Sequence, residues 1–211
     1  MKRPRGEIHI LGTGVLAEEF FALAQDMGIG VAAFVENEDK SKDGGTLCDR
    51  PILWVDRLPQ GAECLCALST TTRSRFIEQV QGRAEFVNMV HPSSVILPGT
   101  TLGEGTVVSS GVLIASHTRI GRHVFINRGA RIGHHTRIGD IVTIQPGANI
   151  GGLIEIDDSV YIGMSATVIE RRKIGTGVTV AAGSVVIRDV PDRVMVAGNP
   201  AVVKREIAGA K

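Results

Sequence analysis

Residues 130–150 read Ala-Arg-Ile-Gly-His-His-Thr-Arg-Ile-Gly-Asp-Ile-Val-Thr-Ile-Gln-Pro-Gly-Ala-Asn-Ile, with an aliphatic side chain at every sixth position: Ile132, Ile138, Ile144 and Ile150. The same phase runs back through Ile126, Ile120, Ile114, Val108 and Leu102 to Ile96. It runs forward through Ile156, Ile162, Val168, Ile174 and Val180 to Val186, without a slip. A fixed period of this kind marks a solenoid. Three short strands joined by tight turns make one triangular coil of about eighteen residues. The aliphatic points into the prism and stacks on its equivalents in neighbouring coils, so stability accumulates along the stack. In most hexads the position two before the aliphatic is small or β-branched, as at Thr100, Thr106, Thr118, Ala130, Thr136, Ala148 and Ala166, and is expected to pack inward too. The position after it is often Gly (103, 121, 133, 139, 151, 163 and 175), expected to relieve backbone strain where the chain turns a corner. Spacing alone does not give the hand of the coil, since crossovers between parallel strands are normally right-handed.

The first ninety residues follow a different rule. Glu7–Leu11 is an apolar strand followed by Gly12-Thr13-Gly14; Val15–Met27 is an amphipathic helix stopped by Gly28. Further strands are expected at Ile29–Val35, Cys64–Leu68 and Ala84–Val90, a helix at Thr72–Gln81, and a loop over Asn37–Pro51. Alternating strands and helices indicate a small parallel sheet with helices on its faces. His91-Pro92 marks a seam. After Val186 the period fails, and Ala201–Ile207 reads as a short closing helix. The organisation expected is an α/β nucleotide-binding-like domain over 1–90, a parallel β-helix over 91–190 and a C-terminal cap over 191–211.

Bulk properties narrow the function. Of the 211 residues 43% are hydrophobic and only 4% aromatic, with 26 glycines, which suits a regular β architecture of small aliphatic side chains. The formal net charge of +1 gives no field that would attract nucleic acid or an anionic membrane. No apolar run reaches membrane-spanning length, and Glu18 and Glu19 interrupt the first apolar stretch, so neither insertion nor a signal peptide is expected. Cys48, Cys64 and Cys66 form no disulfide framework or metal-ligand spacing, which fits a reducing cytoplasm.

The order of parts resembles the hexapeptide-repeat sugar acyltransferases, the family that includes sialic acid O-acetyltransferases and N-acetyltransferases of nucleotide-linked amino sugars. The residues that carry the resemblance are Ile8 to Phe20, His91-Pro92-Ser93-Ser94-Val95, the hexads, Ile132 to Asp140, and Ala197-Gly198-Asn199-Pro200-Ala201. The resemblance implies a left-handed β-helix, a homotrimer, acetyl-CoA bound along the solenoid between subunits, and a sugar nucleotide held by the N-terminal domain. No metal is expected. It implies that Thr143, Gly152, Gly163, Ala181, Pro200, Lys204 and Arg205 lie along the CoA site.

Within that frame His134 is the candidate base. Acyl transfer from a thioester needs a group to take the proton of an attacking amine or hydroxyl, and imidazole suits that near neutral pH. His134 matches the family's catalytic histidine. Gly152 stands one coil further on, where a bare backbone N–H can face negative charge on the thioester oxygen. No Cys or Ser nucleophile accompanies His134 in its motif, which favours direct transfer. The family usually carries an acid after its histidine; here His135 takes that place. Gly12, Thr13, Gly14 and Glu36 follow a relaxed dinucleotide fingerprint, with the loop holding a phosphate at a helix N-terminus and Glu36 near a ribose or base. The loop has Val15 and Leu16 where the family commonly has another glycine and a histidine, and a tight turn that only packs the helix is the plain alternative. Two other functions remain open from the residues: a zinc site on the same solenoid built from His117, His123 and His135, as in one class of carbonic anhydrase, and a non-catalytic ligand-binding trimer.

Overall fold

The computed structural model describes residues 2–68 and 70–207, which divide into two compact units, Met1–Met89 and Val90–Lys211.

In the first unit β1 (Ile8–Leu11), α1 (Val15–Asp26), β2 (Val31–Glu36), β3 (Thr46–Leu47), β4 (Arg50–Trp54), β5 (Ala62–Cys66), α2 (Thr70–Gln79) and β6 (Ala84–Phe86) follow one another. They form one sheet in the order β3-β4-β2-β1-β5-β6. All its pairings are parallel except β3 with β4. Every residue of β5 is buried, which is why its sequence is an apolar run rather than an alternation. Burial pushes the Cys64 and Cys66 thiols up to about 12, so both act as small core side chains. Gly28, at φ +68°, ends α1 as expected.

Two expectations fail here. The segment Asn37–Pro51 is not a plain loop. It holds a 3-10 turn at Lys40–Lys42 and the hairpin of β3 and β4, whose turn uses Cys48 and Asp49 at positive φ. Its polar composition hid the strand, because only Ile52 of β4 is fully buried. The expected strand over 84–90 splits into β6 and a separate pair, Met89–Val90.

The second unit is the solenoid. Two-residue strands end at the period-six aliphatics and stack residue for residue onto the next coil, as in Ile132 on Ile150 and Ile138 on Ile156. Three parallel sheets result, one per face. Ile114, Ile126, Ile144, Ile162 and Val180 are completely buried, and each such side chain contributes roughly 1.5–3 kcal/mol. The small positions pack inward as expected. The inward threonines are satisfied as well: Thr106, Thr118 and Thr136 Oγ1 donate to the carbonyls of Gly121, Gly133 and Gly151 at 2.9, 3.0 and 3.1 Å.

The glycine after the aliphatic does not turn the corner. The residues at positive φ stand three positions after the aliphatic, among them Gly99, Gly105, His117, His123, His135 and Leu153. Gly103, Gly121 and Gly163 are bare for another reason. An added Cβ would come within 2.5–2.6 Å of backbone atoms in the next coil, so glycine permits the close stacking itself. At the C-terminus the expected helix is a strand: Ala201–Glu206 pairs antiparallel with Val194–Gly198. Alternating Val202, Lys204 and Glu206 leave no apolar helical face, and the pairing covers the open edge of the last coil.

Candidate active site

His134 and His135 lie on the turn between the second and third faces of the prism, where Gly133 lets the coil lie close to the next. Both side chains are exposed. A Cβ placed on Gly152, one coil on, would stand 2.9 Å from His134 Nε2 and 3.1 Å from Cε1, so the imidazole lies directly against the bare glycine. Any side chain at 152 would displace it. The two coils are also joined there by Leu153 N–H donating to the His134 carbonyl at 2.8 Å.

The Gly152 N–H finds no protein acceptor among the described residues. Its counterparts on the next edge of the prism do. The N–H groups of Arg122, Asp140 and Thr176 donate to carboxylates of Asp140, Asp158 and Asp192 at 2.7, 2.8 and 2.9 Å. Asp140 and Asp158, one coil apart in the sequence, are the signal for that structural edge.

Three imidazoles gather on the His134 edge. His134 Nδ1 and His135 Nδ1 are 3.1 Å apart, and their rings meet edge to face. His117, one coil before His135, lies against it with centroids 4.9 Å apart and the ring planes tilted by 39°. His117 and His135 line a groove of about 470 Å³ with Gly99, Arg119, Arg137, Leu153, Ile154 and Glu155. Arg119 and Arg137 pair in register there, a basic patch that periodicity did not point to. His123 is not part of this group: it is 7% exposed and stands on another corner. Among the described residues no three His, Cys, Asp or Glu side chains converge as a metal site.

The other expected site residues are dispersed. Thr143 is buried on the first face; Gly163 and Ala181 follow Ile162 and Val180 on the turn after that face, a different edge from His134. Pro200 follows a cis peptide bond in the final hairpin, and Lys204 and Arg205 lie exposed on its second strand rather than on a helix.

In the first unit Gly12, at φ +112°, leaves β1 where an added Cβ would stand 2.9 Å from Leu68 Cδ2. Gly14 caps α1 without a side-chain bond. Glu36, 6% exposed, braces this loop. Its Oε1 accepts from the N–H groups of Asn37, Glu38 and Asp39 at 2.9, 2.8 and 3.3 Å. Its Oε2 accepts from the Thr13 hydroxyl and from Lys42 Nζ at 3.1 Å. Burial alone would raise the Glu36 carboxyl, but these donors outweigh it and hold the group at about 2. Both oxygens are therefore engaged, Oε1 by the segment after β2 and Oε2 by Thr13 and Lys42.

A perosamine N-acetyltransferase from Caulobacter crescentus, solved with CoA and GDP-perosamine, superposes with a TM-score of 0.86 at 28% identity over 98% of this chain and 100% of that one. The chain resembles the hexapeptide-repeat sugar acyltransferases. WeeI from Acinetobacter baumannii AYE is 27% identical over 94% of this chain and 99% of that one, with a TM-score of 0.83. The acetyltransferase domain of PglB from Neisseria gonorrhoeae FA1090, solved with acetyl coenzyme A, shares the fold at 24% identity, with a TM-score of 0.84 over 95% of this chain and 100% of that one. Curated relatives match a shorter stretch. A 2,3,4,5-tetrahydropyridine-2,6-dicarboxylate N-acetyltransferase from Clostridium perfringens is 51% identical over 45 residues, 21% of this chain and 19% of that enzyme. The serine acetyltransferase 4 of Arabidopsis thaliana is 56% identical over 39 residues, 18% of this chain and 11% of its own. The chain thus spans less than a fifth of the length of the curated relatives it matches. No protein-family profile matches it. No helix among the described residues is long and apolar enough to cross a membrane.

Proposed function

We propose that this protein transfers an acetyl group from acetyl-CoA to an amine or hydroxyl of a sugar, its acceptor carried on a nucleotide. The observation that carries the reading is the His134 imidazole lying against the bare Gly152, whose N–H has no protein acceptor among the described residues. In the reaction the acceptor nitrogen or oxygen attacks the thioester carbonyl carbon while His134 Nε2 takes its proton. The Gly152 N–H stabilises the oxyanion that forms. The C–S bond then breaks, and the CoA sulfur leaves with the proton that His134 returns. The acetylated sugar and free CoA thiol are the products.

The relatives support the substrates. The Caulobacter enzyme was solved with CoA and a GDP-linked sugar, and the Neisseria domain with acetyl coenzyme A. Here the Gly12-Thr13-Gly14 loop, braced by Glu36 at the N-terminus of α1, receives the nucleotide phosphate. Thr143, Gly163, Ala181, Pro200, Lys204 and Arg205 attend the CoA chain. The separation of Gly163 and Ala181 from the His134 edge fits a left-handed trimer in which a neighbouring subunit supplies the second wall of the CoA cleft. The protein works in the cytoplasm.

A thioester-consumption screen against nucleotide-linked amino and neutral sugars tests the proposal. Release of free thiol that depends on one such sugar, with transfer of the acetyl group to it, is the expected result. No release with any of them, from protein that binds CoA, sinks the enzymatic reading and leaves a binding trimer.

A further inference from the structure

The imidazole pair of His134 and His135 does more than share a turn. Their Nδ1 atoms are 3.1 Å apart, within hydrogen-bond distance. A neutral imidazole carries one N–H and one lone pair, so the contact is a bond only when one ring donates from Nδ1 and the other accepts at Nδ1. The two directions are not equivalent for chemistry. If His135 donates, His134 keeps its proton on Nε2, and the atom facing Gly152 has no lone pair to offer. If His134 donates, its Nε2 is bare, and that is the nitrogen 2.9 Å from the Cβ position of Gly152.

We infer that His135 is a positioning residue: its Nδ1 accepts the Nδ1–H of His134 and thereby holds the base in the tautomer whose Nε2 lone pair faces the Gly152 cleft. The inference rests on the acetyl-transfer reading of His134. It assigns to a neutral imidazole the task usually given to a carboxylate. When Nε2 takes the acceptor's proton, His134 becomes an imidazolium and the same hydrogen bond becomes charge-assisted, so His135 stabilises the charged state without carrying a charge itself.

The surroundings hold His135 for this role. Its backbone sits at φ +56°, a conformation histidine enters more readily than most residues, and its N–H is anchored to the Ser116 carbonyl at 3.0 Å. His117 lies against its ring, the centroids 4.9 Å apart and the planes tilted by 39°. His117 in turn fits over Gly99, where an added Cβ would stand 2.5 Å from His117 Nδ1. The charged groups sharing the groove with His135 are Arg119, Arg137 and Glu155. None of them is hydrogen-bonded to either imidazole among the described residues.

The same corner position is occupied by Gly99, His117, His135 and Leu153 in successive coils, so the backbone accepts glycine there. That makes a clean pair of variants. His135→Gly keeps the left-handed conformation and removes the acceptor; His135→Asn tolerates the same conformation and returns an acceptor oxygen. In the full-length protein, kcat is expected to fall roughly 10- to 100-fold in His135→Gly, with KM for acetyl-CoA unchanged, and to recover most of that loss in His135→Asn. Nitrogen-15 NMR of the imidazoles is read alongside. His134 is expected to carry its proton on Nδ1 in the wild type and in His135→Asn, and to shift toward the Nε2–H form in His135→Gly. Wild-type kcat in His135→Gly overturns the inference, and so does a wild-type His134 protonated on Nε2. The NMR arm needs no turnover, so it decides the pairing even if His134→Ala shows that His134 is not the base. Thermal melting of both variants guards against loss of the coil; if His135→Gly does not fold, the wild-type tautomer alone decides.

Discussion

Two edges of one prism, built from the same hexad, end differently. On the edge of Arg122, Asp140, Asp158 and Thr176, aspartates reach back to the preceding coil and cap its exposed N–H groups. Arg122 closes the arrangement with an ion pair to Asp140 at 2.7 Å. On the edge of Ser116, His134 and Gly152, no carboxylate among the described residues caps the equivalent amides, and imidazoles occupy the space instead. Capping a corner amide stabilises the stack; leaving one open beside a proton acceptor makes a place where charge can develop. The backbone supplies the same groups on both edges, and the side chain two positions after the aliphatic decides which use is made of them.

The largest expected effect strikes the open edge. His134→Ala should lower turnover by roughly 100-fold or more while CoA affinity, measured by calorimetry, stays within a few-fold. Unchanged turnover would make the two edges chemically alike. Next is Gly152→Ala. Its backbone has no positive φ to forbid the change, but its methyl meets the His134 ring, so a loss of roughly 10- to 100-fold in kcat is expected with the melting temperature held within a few degrees. A variant of normal activity would show that the ring's seat on Gly152 is irrelevant.

The capped edge should answer in stability and not in rate. Asp140→Ala removes the acceptor for the Arg122 N–H and guanidinium and is expected to cost about 1 kcal/mol in denaturant unfolding at neutral pH, with kcat unchanged. The Asp140 carboxyl is half-buried, which alone would raise it, but the Arg122 backbone and side chain hold it below the usual range. A depressed carboxyl stabilises the fold above its unfolded value and loses that contribution as pH falls through the folded one. The wild-type advantage over Asp140→Ala should therefore be present at pH 7 and fade below about pH 4. The smallest expected signal lies in the other unit. Glu36, held at about 2, obeys the same sign, so its bracing of the Thr13 loop should persist at pH 4 and weaken only as pH approaches 2. Glu36→Gln, compared by hydrogen exchange of the Asn37, Glu38 and Asp39 amides, should lose protection at pH 7 and match the wild type in strong acid.

The solenoid was legible because its period is enforced locally: each coil can bury its aliphatics only against the next, so a single slipped residue would turn Ile132 or Ile144 to solvent. The eighteen-residue coil also gave the pairing of His134 with Gly152, since stacking turns sequence distance into contact. The N-terminal unit is less legible, because the short partly exposed strand Arg50–Trp54 carries little apolar signal and its hairpin partner looks like loop. The final segment is a strand and not the expected helix because six residues with a valine pair and three charges satisfy neither period, and pairing with Val194–Gly198 decides the outcome.

From the amino-acid order alone came the prism, its inward side chains and the meeting of His134 with Gly152 across a coil. Only the tertiary structure decided which corner amides are capped, that Glu36 has both oxygens engaged by Thr13, Lys42 and the amides after β2, and that His135 meets His134 through matching ring nitrogens. Periodicity specifies which residues share a level or a column. Whether a donor finds an acceptor depends on rotamers and on what reaches over from the next coil, and no period encodes that.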